Sequence, residues 1–348
     1  LSVLEQGHFD LVLASSNLPD IGTPEFGRRV KAARPGLPVV MVVFDGSGFD
    51  QTYHSAEPNG VDRTFAWRGS ADVLLSIMKL VEDSQNVDRD LSLASIGTVL
   101  VVEDAVERYS LILPHLYSML MQRTFMLVPE GINELDRQVR TRVRPKVLLA
   151  RTFGEAAALF EKYRTSLVGI ISDLHTHHDE RIDPEAGPRF LRSVAALEPG
   201  IPILIQSSEP DIAEVAASVG ARCVSKRGSD LRAGIEKFVL EDVGFGDFRF
   251  RLPDGTTIRT VSNMWEMEQA IPEVPEESFL FHVGRNDFSH WFRARGEITL
   301  AAVLRPVTQA DFPTVAALRE YLANAVAIAR KEKYRGAIAD FRPPEFDP

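Results

Sequence analysis

A single cysteine, Cys223, serves the whole 348-residue chain. A lone thiol excludes an internal disulfide framework and fits a reducing compartment, so a cytoplasmic protein is expected. No apolar run approaches the ~20 residues of a membrane-spanning helix, and Leu1-Ser2-Val3-Leu4-Glu5-Gln6 lacks the basic-then-apolar pattern of a signal peptide. No membrane partner is expected. Positive charge is also in deficit, with a net charge of −10 at pH 7. That balance argues against general binding of nucleic acid through phosphate contacts. Apolar residues are plentiful at 45%, enough for packed cores, and the length calls for two or three domains of roughly 100–150 residues.

The most informative stretch is Ser166-Leu167-Val168-Gly169-Ile170-Ile171-Ser172-Asp173-Leu174. An apolar, partly β-branched run ending in a carboxylate reads as a strand buried on both faces, with its charge at the C-terminal edge. In open parallel α/β sheets, ligands and chemistry sit at that edge. The plainer reading is that Asp173 caps the following turn.

Residues 1 to about 85 alternate strands and helices. Phe9 to Asp20 reads as a buried strand breaking into a turn, Pro38 to Phe44 and Asp62 to Trp67 as strands, Thr23 to Ala33 as a helix with Pro24 early, and Ala71 to Glu82 as a closing helix. Such alternation gives a parallel sheet with right-handed crossovers. Three all-parallel strands leave an unprotected edge, so the unit is read as incomplete and the natural chain is expected to start earlier. A polar linker, 86–97, follows.

The segment 98–241 contains five β/α units. Its strands are Thr98 to Val102, Lys146 to Ala150, the Asp173 strand, Ile201 to Ser207 and Ala221 to Ser225. An insertion, near 121–144, carries Arg137, Arg140, Arg142 and Arg144 in a helical pattern, read as a solvated or packing face. This segment repeats the first. Arg63-Thr64-Phe65-Ala66-Trp67-Arg68-Gly69-Ser70 lies over Arg222-Cys223-Val224-Ser225-Lys226-Arg227-Gly228-Ser229, Pro38 to Val43 over Pro202 to Ser207, and Ser15 over Asp173. The second copy has the longer loop after its acidic strand, including His175, His177 and His178. These histidines could serve a transition metal, but a solvated lid is the preferred reading. Cys223 is read as an inert buried strand thiol.

If the sheet takes the order 2-1-3-4-5, Glu103, Asp104, Asp173, Ser207 and Lys226 converge. Three carboxylates repel one another, and a divalent cation relieves this; hard oxygen ligands suit Mg²⁺. With a metal at Glu103, Asp104 and Asp173 and the ammonium of Lys226 neutralising phosphoryl oxygens, an Asp173 oxygen can attack phosphorus in line. Ser207 can donate to a phosphoryl oxygen.

At these residues the chain resembles the receiver domain of bacterial response regulators, whose marks are an acidic pair after strand one, an aspartate ending strand three, a hydroxyl ending strand four and a lysine ending strand five. The resemblance implies Asp173 as phospho-acceptor, with Ser207 and Lys226 as its catalytic partners, bound Mg²⁺, and a histidine kinase or small phosphodonor as partner. Arg227 stands where receivers usually have proline, and Cys223 where they have an aromatic switch. The first segment resembles a receiver without the chemistry: Ser15, Val43 and Trp67 replace the acceptor, hydroxyl and lysine. It is expected to be structural or to mediate a homodimer.

The last segment, 242–340, begins with a hairpin around Pro253-Asp254-Gly255. It continues in helices over Asn263 to Ala270, Glu277 to Val283, Phe288 to Leu304 and Pro313 to Lys333, before a tail, 341–348, that reads as a linker. Phe281 to Trp291 mixes aromatic and polar residues. It is read as a helix–helix corner with Asp287 capping the second helix, a ligand or partner site being the alternative. The whole resembles the N-terminal region of bacterial proteins related to phosphoenolpyruvate synthase and pyruvate phosphate dikinase. Trp67-Arg68-Gly69 with Leu80 to Asp83, Val102-Glu103-Asp104, Arg144-Pro145-Lys146, Asp183-Pro184-Glu185-Ala186-Gly187, Gln206-Ser207-Ser208-Glu209-Pro210, Gly244-Phe245-Gly246-Asp247-Phe248 and Arg285-Asn286-Asp287-Phe288-Ser289 carry that resemblance. The sequence contains no phosphate-gripping glycine loop, phosphotransfer histidine motif or pyruvate-binding segment. A regulatory part is therefore expected, not an enzyme, acting on a partner or a fused catalytic region.

The expected fold is α/β: two flavodoxin-like, doubly wound parallel sheets, the first incomplete, plus a small mostly α C-terminal domain with a β-hairpin. Two functions follow. One is a Mg²⁺-dependent phospho-switch on Asp173; the other is a pseudo-receiver scaffold for assembly that is never phosphorylated.

Overall fold

The computed structural model describes Leu4 and residues 7–44, 60–93, 96–127, 144–175, 183–207, 212–226 and 228–339. It divides into two units, Leu1–Met119 with Pro145–Gly234, and Leu120–Arg144 with Ile235–Pro348. In the first unit the elements run β1 (Val12–Ser15), α1 (Thr23–Ala33), β2 (Val39–Phe44), β3 (Arg63–Trp67) and α2 (Asp72–Leu93). The second repeat follows with β4 (Thr98–Val102), α3 (Val106–Leu127), β5 (Lys146–Ala150), α4 (Phe153–Tyr163) and β6 (Leu167–Asp173). It closes with α5 (Ala186–Leu197), β7 (Ile203–Ser207), α6 (Ile212–Val219), β8 (Arg222–Ser225) and α7 (Gly228–Lys237).

Both sheets are parallel. The five-stranded one has the order β5-β4-β6-β7-β8, which is the expected 2-1-3-4-5. Every residue of β4, β5, β6 and β7 is buried, because helices cover both faces, and this is why these strands read as unbroken apolar runs. On one face Leu100, Val102, Ile170, Ile203 and Ile205 pack against Phe160 of α4 and Phe190 and Leu191 of α5. Gly187 in the first turn of α5 permits that packing, since a Cβ there would lie 2.2 Å from the carbonyl oxygen of Leu174.

The three-stranded sheet has the order β1-β2-β3. Its β3 edge is not left bare. The Ala66 amide donates to Ser110 Oγ at 2.9 Å, the Tyr109 hydroxyl donates to the Thr64 carbonyl, and the rings of Phe65 and Tyr109 meet edge-on at 5.4 Å. Side chains of α3 thus supply the partners that another strand would otherwise give.

Helix α2 differs from expectation. It does not stop at Glu82 but runs to Leu93, through the stretch read as the start of a linker. The polar residues there are fastened. Asp83 accepts from Tyr117 Oη at 3.0 Å and from the Val147 amide at 2.9 Å. Asp88 holds Lys162 and Tyr163, and Asp90 pairs with Lys146 at 2.6 Å. Tertiary partners turn a solvated-looking sequence into ordered helix.

In the second unit, β9 (Phe248–Arg251) and β10 (Thr257–Val261) form the antiparallel hairpin, with Gly255 at φ 91° in its turn. The helices are α8 (Met264–Glu273), α9 (Glu276–Gly284), α10 (Asp287–Ala294), α11 (Ile298–Leu304) and α12 (Val315–Ala339). The single helix expected over Phe288 to Leu304 is two, broken at Gly296 with φ 77°. Before the break, Arg295 lies over the Trp291 ring at 3.7 Å and donates to the carbonyls of Gly244 and Gly246. The capping role expected of Asp287 is also corrected. Asn286, at φ 62°, is the cap residue, and Asp287 instead accepts from His282 Nδ1 at 2.7 Å. The other ring nitrogen, Nε2, accepts from the Arg251 amide at 2.8 Å, which fixes the tautomer. Burial alone would raise Asp287, but the His282 bond and the Arg285 charge outweigh it and hold the carboxyl below its usual range. His282 therefore ties hairpin to helices. Among the described residues no helix is long and apolar enough to cross a membrane.

Candidate functional site: an acidic pocket at the C-terminal sheet edge

The pocket is built by strand order. β4 and β6 are neighbours, with Val102 paired to Ser172, so Glu103 and Asp104 emerge beside Asp173. One ligand atom from each of Glu103, Asp104 and Asp173 lies within 4.8 Å of the others, and all three residues are buried. On the other side, Asp173 pairs with Gln206 of β7 and Ser207 with Ser225 of β8. The Lys226 amide donates to the Ser207 carbonyl at 3.2 Å.

Asp173 uses its two oxygens differently. Oδ1 accepts from the amides of Leu174 at 2.6 Å and His175 at 3.3 Å, so it does cap the turn. Oδ2 forms an ion pair with Lys226 Nζ. The twin position in the first repeat keeps only the first of these jobs. Ser15 Oγ accepts from the Asn17 amide at 3.1 Å, two residues on, as Asp173 does from His175. The turn survives there without the charge.

Glu103 is fully buried. Its Oε1 accepts from the Ala105 amide at 3.1 Å and its Oε2 from Gln206 Nε2 at 3.0 Å. Burial, and next the charge of Asp173, push its carboxyl up to about 8, against the opposing pull of Lys226, the Ala105 amide and Arg108. Gln206 and Arg108 were not singled out from the sequence. The signal for Gln206 was an amide inside the buried run Ile203-Leu204-Ile205-Gln206; for Arg108, a cation in the first turn after the acidic pair.

The raised Glu103 carboxyl makes stability depend on pH. Between the ordinary value of 4.5 and about 8, the folded chain binds a proton that the unfolded chain has lost, so stability falls as pH rises through that window. Each unit of displacement is worth on the order of 1.4 kcal/mol. In chelator, denaturation of wild type is expected to become easier from pH 5 to pH 8, with the slope much reduced in Glu103→Gln. Parallel profiles for the two proteins would show that Glu103 does not carry the effect.

Three carboxylates this close, one of them driven towards its protonated form, fit a divalent cation, with hard oxygen donors and no sulfur or imidazole among them. Several sequence readings fall elsewhere. His177, His178, Arg227, Arg137, Arg140 and Arg142 lie outside the described residues. Cys223, expected to be buried, is exposed. The reason is that β8 is an edge strand on which alternate residues face opposite ways: Val224 packs towards Gly234 of α7, and Cys223 points away.

No protein-family model and no curated protein matches the chain. Among solved structures, one described as a two-component system response regulator/GGDEF domain protein is similar at 21% identity over 67% of this chain and 80% of its own, with a TM-score of 0.26. A second with the same description is similar at 17% identity over 67% of this chain and 82% of its own, again with a TM-score of 0.26. Superpositions that loose bear on neither fold nor chemistry, which rest on the strand order and the side chains described above.

Proposed function

We propose that the second repeat is a phosphoryl-accepting receiver module, with Asp173 as acceptor. The observation that supports this best is the Lys226 ammonium on Asp173 Oδ2 inside a buried three-carboxylate pocket. A buried carboxylate cluster is costly unless it has work for its charge. In this reading an Asp173 oxygen attacks the phosphorus of a kinase phosphohistidine or a small acyl phosphate. The new O–P bond forms as the donor's P–N or P–O bond breaks, and the electron pair leaves with the donor. Lys226 follows the negative charge from the carboxylate to the phosphoryl oxygens, and the Ser207 hydroxyl donates to one of them. Glu103, Asp104 and Asp173 would hold Mg²⁺, which when bound supplies positive charge against the phosphoryl oxygens. The change in charge then alters packing against a partner or a fused catalytic region.

The test is incubation with acetyl phosphate and Mg²⁺, followed by intact mass. Wild type should gain one phosphoryl group and Asp173→Asn none. No gain in wild type, or an equal gain in the variant, rejects the reading. The scaffold alternative is favoured by one observation, the docking of the β3 edge on α3 through Tyr109 and Ser110, which gives the first repeat a packing role without chemistry. It predicts a light-scattering mass that is indifferent to phosphodonor and Mg²⁺.

A further inference from the structure

One buried group in the pocket has no place in the mechanism above. Gln206 is 0% exposed, in a strand otherwise made of Ile203, Leu204, Ile205 and Ser207. An unbranched apolar side chain would fill the same volume without bringing polar atoms into the sheet. Instead an amide is present, and only half of it is used. Nε2 donates to Glu103 Oε2 at 3.0 Å, while Oε1 is buried with no hydrogen-bond partner. Buried acceptors are almost always paired, and an exception calls for a ligand, an ordered water or an ion's hydration shell. The register puts Gln206 directly beside Asp173, so the orphan oxygen belongs to the same pocket as the carboxylates.

We propose that Gln206 is a positioning residue for the divalent cation; this rests on the cation reading given above. Its amide nitrogen locks the Glu103 carboxylate, whose other oxygen is already held by the Ala105 amide, so Glu103 cannot swing away from Asp104 and Asp173. Its carbonyl oxygen faces the pocket as an acceptor for a water carried in by the cation. Mg²⁺ suits such a group, because it sheds water reluctantly and keeps several when bound to carboxylates. Groups that hold a metal's ligands and waters, without touching the metal, commonly set its affinity.

Calorimetric titration of Mg²⁺ into wild type and Gln206→Met tests this, alongside thermal unfolding of both in EDTA. The methionine keeps length and volume but can neither hold Glu103 nor accept from water. Mg²⁺ affinity should fall about 10-fold, while the EDTA melting temperature stays equal or rises, because the orphan acceptor is gone. A side chain with a merely structural role would give the reverse: a lower melting temperature and an affinity within twofold of wild type. That result overturns the proposal. Gln206→Asn guards against a methionine variant that does not fold. It keeps the amide but is one methylene too short to hold Glu103, so the rise in melting temperature on adding Mg²⁺ should be smaller than in wild type, and an equal rise also overturns the proposal. Wild type that binds no Mg²⁺ would reject the cation reading itself, and with it this role, whereas normal binding by both proteins rejects only the role of Gln206.

Discussion

Lys226→Ala is expected to take up a phosphoryl group from acetyl phosphate on the order of 10²-fold more slowly than wild type, the usual cost of deleting one donor aimed at developing charge. The expectation comes from what Lys226 touches. Its ammonium sits on Asp173 Oδ2 and its side chain is largely buried, so little solvent screens the pair. As phosphorus is attacked, negative charge spreads from the carboxylate to the phosphoryl oxygens, and a flexible, three-donor cation can follow it. Lys226→Arg should recover only part of the rate, because the guanidinium keeps the charge but is a larger, planar group. Time courses by intact mass at fixed Mg²⁺ measure this. A rate for Lys226→Ala within threefold of wild type would show that the ion pair serves the resting fold and not the transfer.

Much of this arrangement could be read from residue order alone. Buried strands announce themselves as Val99 to Val102 and Val168 to Ile171, and parallel topology follows from the helices between them. The order β5-β4-β6-β7-β8 then brings strand-end carboxylates together without any knowledge of side-chain contacts. What the sequence concealed was of another kind. The exposure of Cys223 depends on which face of an edge strand is covered. The length of α2 depends on Asp83, Asp88 and Asp90 finding Lys146, Lys162, Tyr117 and Tyr163 across the fold. Gln206 drew no notice because nothing local ties it to Glu103, which lies 103 positions away. Periodicity reports faces; it does not report which distant partner a polar atom will meet.

Asp83→Ala should be the most damaging single change to the stability of the first unit, at about 3–5 kcal/mol. Asp83 is fully buried on α2. It accepts from the buried Tyr117 hydroxyl and from the Val147 amide, and lies 3.5 Å from Lys146 Nζ. Truncation would take a carboxylate acceptor from two buried donors, at roughly 1–3 kcal/mol each, and leave Lys146 with a weaker share of negative charge, although Asp90 still pairs with it. The damage should also be directional. Asp83 belongs to the helix that closes the first repeat, whereas Tyr117 and Val147 belong to the second, so the bonds lost are those that join the repeats. Asp83→Asn keeps an acceptor for the Val147 amide and should cost less. Asp88→Ala, at an exposed pair with Lys162, should cost little. Urea denaturation of the three variants ranks them. If Asp83→Ala is no worse than Asp88→Ala, the buried carboxylate is not what fastens α2 to the second repeat, and its ordered length must come from apolar packing, through residues such as Ile77, Leu80 and Val87.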